Sequence, residues 1–299
     1  MRRGFTLVEL LVVIGIIALL VGILLPVLGN ARASASQVRA LSDVRQLLVA
    51  HQFYRLEHEG RVPLAYPPDE LEGEPFQTEF EGFTWAGLEA RRYPIRLVAY
   101  LEDVWEIVYS GRYFPDPDNP SAVYDLGVAP TYGINAVFVG GSGDFRERGF
   151  VNLGKASFDF SSNSKYIAGG GPDGPSFMTP NVNRHVVFRE TEVREPSSLI
   201  VFADAKLRGG PFSSGDGYNN VHGPISNGQL WELEPDPEGG RDTIKVVGFR
   251  AIGVPEGRFG KGAAVGFFDG HAESRFPDEL TDMRLWANWA DSETYDFVP

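Results

Sequence analysis

Gly4-Phe5-Thr6-Leu7-Val8-Glu9-Leu10-Leu11-Val12-Val13-Ile14-Gly15-Ile16-Ile17-Ala18-Leu19-Leu20-Val21-Gly22-Ile23-Leu24-Leu25-Pro26-Val27-Leu28 is almost wholly apolar and carries one charge, Glu9. As a helix of about 1.5 Å rise per residue, the run from Phe5 to Leu28 spans roughly 36 Å. That crosses a hydrocarbon core of about 30 Å with some tilt to spare. Arg2 and Arg3 precede the run and hold that end on the cytoplasmic side. A carboxylate inside the bilayer costs on the order of 3 kcal/mol on insertion scales. Glu9 therefore either snorkels or is protonated near the helix start, or it waits for a cation.

The segment Gly4-Phe5-Thr6-Leu7-Val8-Glu9, with Pro26 further on, resembles the cleavage and methylation site of type IV prepilins and type II secretion pseudopilins. The resemblance implies that a prepilin peptidase cuts after Gly4 and N-methylates Phe5. Glu9 would then be the fifth mature residue, and Pro26 matches the family's mid-helix proline. Cleavage would create an α-amine on Phe5, which a neighbouring subunit's Glu9 could meet in a staggered bundle of identical helices. Burial between helices strengthens such a pair and penalises an unpaired Glu9, so the pair enforces axial register. Gly4 and Phe5 are thus expected to serve processing, and Glu9 and Pro26 assembly.

Composition narrows the rest. The chain has 299 residues and a formal net charge of −13. Loss of residues 1–4 removes Arg2 and Arg3 and takes the mature chain to −15. An acidic head disfavours polyanions, so no nucleic-acid partner is expected. With no cysteine there is no disulfide and no thiolate-bound metal, and the head must rely on its core. The small-residue cut falls before the apolar run, so the helix is retained, unlike that of a secretory signal peptide.

Beyond Pro26 the pattern becomes amphipathic. Val38, Leu41, Val44, Leu47, Leu48, His51 and Tyr54 recur at spacings of three and four, with Arg32, Arg39, Arg45, Gln37 and Gln46 on other faces. This predicts one helix over about 5–59, its second half packed on a head and its end set by Gly60 and Pro63. Pro26 should kink or loosen it. Residues 61–94 read as loop, 97–108 as a second short helix, and 111–130 as turns. Strands are expected over 131–139, 185–193, 199–203, 243–251 and 263–268, with glycine-rich loops over 140–182. Asp269-Gly270 signals a type I′ turn within a hairpin over 263–276. Residues 278–291 read as a terminal helix burying Leu285, Trp286 and Trp289.

The head carries a second resemblance, on Val265-Gly266-Phe267-Phe268-Asp269-Gly270-His271, Pro196-Ser197-Ser198-Leu199-Ile200-Val201-Phe202-Ala203-Asp204, Thr131-Tyr132-Gly133-Ile134-Asn135 and Tyr100-Leu101-Glu102. These segments look like a prepilin-like group named for a histidine, nine residues and Asp-Gly. Here Asp269-Gly270 matches, but Phe259 stands at the histidine position. The resemblance implies fold and class only.

Several sets could carry chemistry. Asp204, Asp269 and His271 would make a metal or acid–base site if they converged; the simpler reading is a turn aspartate, a solvent-facing histidine and a strand-end cap. Asp116, Asp118, Asn119 and Asp125, and Asp216 in the 213–220 loop, are oxygen-rich enough to be weak calcium candidates but fit no EF-hand, and plain acidic turns are the simpler reading. The Gly140 and Gly169 glycine runs lack a phosphate loop's Lys-Ser/Thr and helix. Trp85, Trp105, Trp231, Trp286 and Trp289 suit core packing better than a binding platform.

The expected fold is α+β: leader 1–4, transmembrane helix 5–28, amphipathic helix 29–60 and a β-rich, loop-heavy extracytoplasmic head over 61–299. No enzymatic activity and no cofactor are expected. The resemblance implies a structural subunit of a type IV pilus or type II secretion pseudopilus. The head exceeds the size usual for a repeating subunit, which points to a minor one. Its partners would be the prepilin peptidase, other pilin or pseudopilin subunits and an inner-membrane assembly platform. It would sit as a single-pass protein of the inner membrane of a diderm bacterium, N-terminus cytoplasmic and head periplasmic or extracellular, before entering a filament. The alternative is a membrane-tethered binding protein or adhesin that borrows the signal without polymerising.

Overall fold

A computed structural model describes residues 7–63, 90, 92–109, 127, 129–140, 186–208, 217–225, 229–237, 239–248, 252–258 and 262–295, together with the backbone of 70–71, 74–75, 77–80 and 83–86. The fold is α+β, a long N-terminal helix joined to a β-rich head.

Helix α1 (Leu7–Glu57) runs unbroken through Pro26. Pro26 has no N–H to offer the Gly22 carbonyl one turn back, so the ladder lacks one rung there. The helix ends where Glu59 (φ 56) and Gly60 (φ 78) turn left-handed and the Gly60 N–H reaches back to the Arg55 carbonyl at 2.7 Å. Residues 7–28 are exposed throughout, whereas Ala40, Asp43, Val44, Leu47, Leu48, Ala50, His51, Tyr54 and Arg55 are buried on the head.

The docked stripe differs from the expected one at its start. Val38 is 67% exposed and Gln37 is buried, its Nε2 donating to Ser274 Oγ at 3.0 Å. Hydrophobicity favoured Val38, but the head meets the helix one residue earlier, where Ser274 takes the Gln37 amide N–H while Gln37 Oε1 is buried without a partner among the described residues.

The head centres on a five-stranded sheet ordered β13-β12-β6-β5-β8. Its strands are β5 (Tyr132–Asn135), β6 (Ile200–Asp204), β8 (Asn220–Val221), β12 (Ala263–Phe267) and β13 (Ala272–Arg275). All neighbours are antiparallel except β5 and β8. Every residue of β5, β6 and β12 is buried, because both faces of the sheet are covered. A strand's alternation then becomes a continuous apolar run. One face packs Ala264, Phe268, Phe202 and Ile134 against α1 and the short helices. The other packs Ala263, Val265 and Phe267 against Trp231, Ile252, Leu280, Met283 and Trp286.

Smaller pairs complete the strands. β7 (Lys206–Arg208) pairs with β11 (Ile252–Val254), and β9 (Trp231–Glu234) with β10 (Thr243–Val246). Inside 61–94, read as loop, stand two short hairpins, β1 (Glu70–Leu71) with β2 (Glu74–Pro75) and β3 (Gln77–Phe80) with β4 (Phe83–Ala86).

Other expectations need correction. The helix over 97–108 is two helices, α2 (Tyr93–Leu97) and α3 (Val104–Tyr109), separated where Leu101 becomes extended. Asp103 restarts the chain as an N-cap, its Oδ1 accepting from the Glu106 N–H at 2.9 Å. The strand over 131–139 stops at Asn135, and 185–193 yields only bridges at Val187 and Arg189 followed by a 3-10 turn, Glu190–Glu192. No terminal helix forms: two 3-10 turns, Pro277–Leu280 and Met283–Leu285, stand in its place. Between them Asp282 is extended and its side chain accepts from the Arg284 N–H. Trp286 is buried there, but Trp289 is 40% exposed under Arg194.

Asn135 is the buried polar hinge of the sheet. Its Nδ2 donates to the carbonyls of Ile200 (3.0 Å) and Trp286 (2.9 Å), tying β6 to the C-terminal turns. Asn135→Ala should strand both carbonyls at about 1–3 kcal/mol each. The expected result is a lower denaturant midpoint with an unchanged slope. A midpoint within error of wild type would count against that role.

Candidate functional site

Glu9 and Pro26 lie on an apolar arm, and Asp269 and Gly270 at a joint between that helix and the head. On the arm, Glu9 lies in the first turn of α1, and Pro26 lies in a helix whose surrounding apolar side chains all face outward. Gly4 and Phe5 lie outside the described residues. This helix is long and apolar enough to cross a membrane, and its apolar residues 7–28 are exposed. Downstream of Pro26 its outward side keeps an apolar stripe, with Val49, Phe53 and Leu56 all about half exposed or more. These positions, three and four residues apart, share one face.

The joint is where Val265 to His271 meets α1. A Cβ on Gly266 would lie 2.5 Å from Val44 Cγ1 and 2.8 Å from Leu48 Cδ1. Glycine there lets the helix lie directly on β12. An isolated glycine in a strand pattern is the sequence signal of such an approach. Phe268 continues the contact, its ring meeting His51 edge-on at 5.7 Å and lying 4.2 Å beneath the Arg55 guanidinium. Arg55 reaches Glu190 at 3.5 Å. Burial lowers the Arg55 pKa and Glu190 opposes that shift. Arg45 adds a hydrogen bond to the Ala272 carbonyl at 3.2 Å. On the far side of the helix contact, Tyr132 donates to Asp43 Oδ2 at 3.1 Å, and the Tyr93 hydroxyl donates to the Tyr132 carbonyl.

Asp269 and Gly270 shape the end of this joint. The Phe267 N–H bonds the His271 carbonyl at 2.9 Å, and the Gly270 N–H bonds the Phe267 carbonyl at 3.0 Å. Gly270 has φ 98, while Asp269 keeps a negative φ. The loop is therefore a type I turn followed by a glycine bulge, not the expected type I′ turn, which needs positive φ at both central residues. Asp269 Oδ1 accepts from the His271 N–H at 3.1 Å and lies 2.6 Å from His271 Nδ1. The Phe268 and Asp269 N–H groups bond the Leu199 and Pro196 carbonyls, anchoring the turn beside β6.

Asp204 does not join them. The register sets Val265 opposite Ala203 and Phe267 opposite Ile200, so Asp204 lies at the opposite end of β12 from Asp269, roughly 16 Å away at about 3.3 Å per residue. Its carboxylate accepts from the Ala264 N–H at 2.9 Å and faces Arg258 at 3.6 Å, both side chains fully buried. Arg258, not singled out from sequence, also bonds the Thr131 and Ala205 carbonyls. Trp231 and Trp286 are core residues whose indole N–H groups bond the His222 and Leu280 carbonyls.

Asp116, Asp118, Asn119, Asp125, Asp216 and Phe259 lie outside the described residues, as do 141–182 of the glycine-rich loops and nearly all of the 111–130 turns. Among the described residues, no cluster of three or more His, Asp or Glu has metal-binding geometry.

A family model for the prokaryotic N-terminal methylation motif matches residues 1–25. No curated protein and no solved structure matches the chain. The chain thus carries a prepilin-type N-terminal signal on a long apolar helix.

Proposed function

We propose that this chain is a structural, non-enzymatic, minor subunit of a type IV pilus or type II secretion pseudopilus, matured by a prepilin peptidase. The observation that carries the reading is the division of α1. One half is apolar, exposed and lies largely within the methylation motif, and the other is locked to a large head. An apolar arm of this kind is held by lipid before assembly and by neighbouring helices after it. The Val49, Phe53 and Leu56 stripe extends that contact surface beyond the membrane. The N-terminus would face the cytoplasm and the head the other side.

Two measurements test this. Intact-mass analysis of protein extracted from native membranes should show loss of residues 1–4 and a methyl group on the Phe5 amine, and Gly4→Trp should block the cut. Recovery of full-length protein alone, with the peptidase active, would overturn the prepilin reading. Single cysteines placed between Leu10 and Leu24 of this cysteine-free chain should crosslink into ladders beyond dimers. Crosslinks that never exceed the monomer in the native host would replace the filament subunit with a tethered binding protein.

A further inference from the structure

His51 occupies the middle of the helix–head joint. It is 1% exposed. Its ring meets Phe202 of β6 at 5.9 Å and Phe268 of the β12–β13 turn at 5.7 Å, both edge-on. Among the described residues its Nε2 has no hydrogen-bond partner. One turn further along α1 stands Arg55, whose guanidinium covers the other ring surface of this pocket, Phe268. The groups around His51 are thus unequal in charge. From α1 comes the Arg55 cation. From β6 and the turn come the phenyl rings of Phe202 and Phe268, and behind Phe202 stands the Tyr93 ring of α2 at 5.2 Å. The carboxylate of Glu190 is engaged by Arg55.

We propose that His51 makes the docking of the head on α1 acid-releasable, so that a proton taken up at His51 frees the helix segment around 44–55 from the sheet. A neutral imidazole is tolerated in this pocket as an aromatic ring. An imidazolium has two N–H donors, and Nε2 finds no acceptor. It also brings a second cation within one turn of Arg55, in surroundings that screen poorly. Burial first, and Arg55 second, hold the His51 pKa well below 6.5. Released from the pocket, His51 regains the ordinary value near 6.5. Between those values the undocked form binds more protons than the docked one. Docking is therefore complete above about pH 6.5 and weakens as pH falls through that window, by up to about tenfold in the docked-to-undocked ratio per pH unit. Release would uncover Val44, Leu47 and Leu48 beside the existing Val49 and Phe53 stripe, changing what the emerged helix can contact. The inference concerns the joint alone and holds for a filament subunit or a tethered protein alike.

A second buried histidine must be separated from the first. His222 lies on the other face of the sheet, its Nδ1 3.3 Å from the Gly253 carbonyl, with its pKa lowered to about 4 by burial. Hydrogen exchange on the full chain in detergent, corrected for the intrinsic pH dependence of exchange, reads both regions. Between pH 7 and 4.5, the amides of 47–55 should lose protection by up to about tenfold per pH unit while those of β5 and β6 hold. His51→Leu should flatten that response, and His222→Leu should leave it in place. Should His51→Leu not fold, ring 15N shifts of the wild-type histidines decide. Proton uptake at His51 must coincide with the loss of protection in 47–55. Protection that is flat in the wild type, that is lost while His51 stays neutral, or that is lost equally across the sheet would overturn the proposal.

Discussion

Gly266→Val should push α1 off the sheet and cost the head more stability than other single changes at the joint. Even the first added carbon falls within 2.5 Å of Val44 and 2.8 Å of Leu48. Leu48 can rotate aside. Val44 is β-branched and held to essentially one rotamer in a helix, so it cannot yield without moving the backbone. The backbone is in turn pinned on both sides of the contact, by the Gln37–Ser274 and Arg45–Ala272 bonds and by buried Leu47 and Tyr54. Overpacking of this kind costs about 1–3 kcal/mol, with Gly266→Ala at the lower end and valine at or above the upper. Denaturant unfolding of the full chain in detergent measures it. Val44→Ala, destabilising by itself, should recover part of the loss when combined with Gly266→Ala, because the pair shares one contact. Strict additivity of the two changes would show that the glycine is there for another reason.

Glu9→Ala should leave membrane insertion and cleavage after Gly4 intact, since removing a charge makes the apolar helix easier to insert. Co-expressed with wild type at equal membrane levels, it should enter filaments at least about tenfold less well. That ratio corresponds to about 1.4 kcal/mol, and breaking a buried ion pair typically costs more. Glu9→Gln nearly preserves volume and hydrogen bonding while losing the charge, so its defect should be somewhat milder and isolates the electrostatic part. Equal entry of wild type and Glu9→Ala would make Glu9 a bystander snorkelling to the interface.

Chain-local physics was legible in the amino-acid sequence. The 51-residue helix α1 is written in an apolar run broken only by Glu9 and followed by a three-and-four pattern, and Gly60 marks its end within a few residues. The strand at 200–204 and the hairpin around Asp269-Gly270 are likewise visible, because β-rich runs and turn glycines act through their own backbone. The helix boundary at Asp103 was also written in the chain, as a capping aspartate, but apolar spacing on either side of it suggested one continuous helix.

Whatever depends on a partner distant in sequence was decided by the tertiary structure. Gln37 faces inward and Val38 outward because Ser274 stands 237 positions away with a matching acceptor. Asp204 is held by Arg258 and the Ala264 N–H at one end of β12, while Asp269 closes a turn at the other. Shared residue type said nothing about that separation, which the antiparallel register alone imposes. Gly266 carries the sequence signal of a close approach, which the sequence reading left unused, and that the approaching element is α1 follows only from the packing. Apolar spacing specifies how much surface a helix must cover. Which neighbour covers it, and which polar groups are stranded or satisfied there, is settled by how the sheet folds up against it.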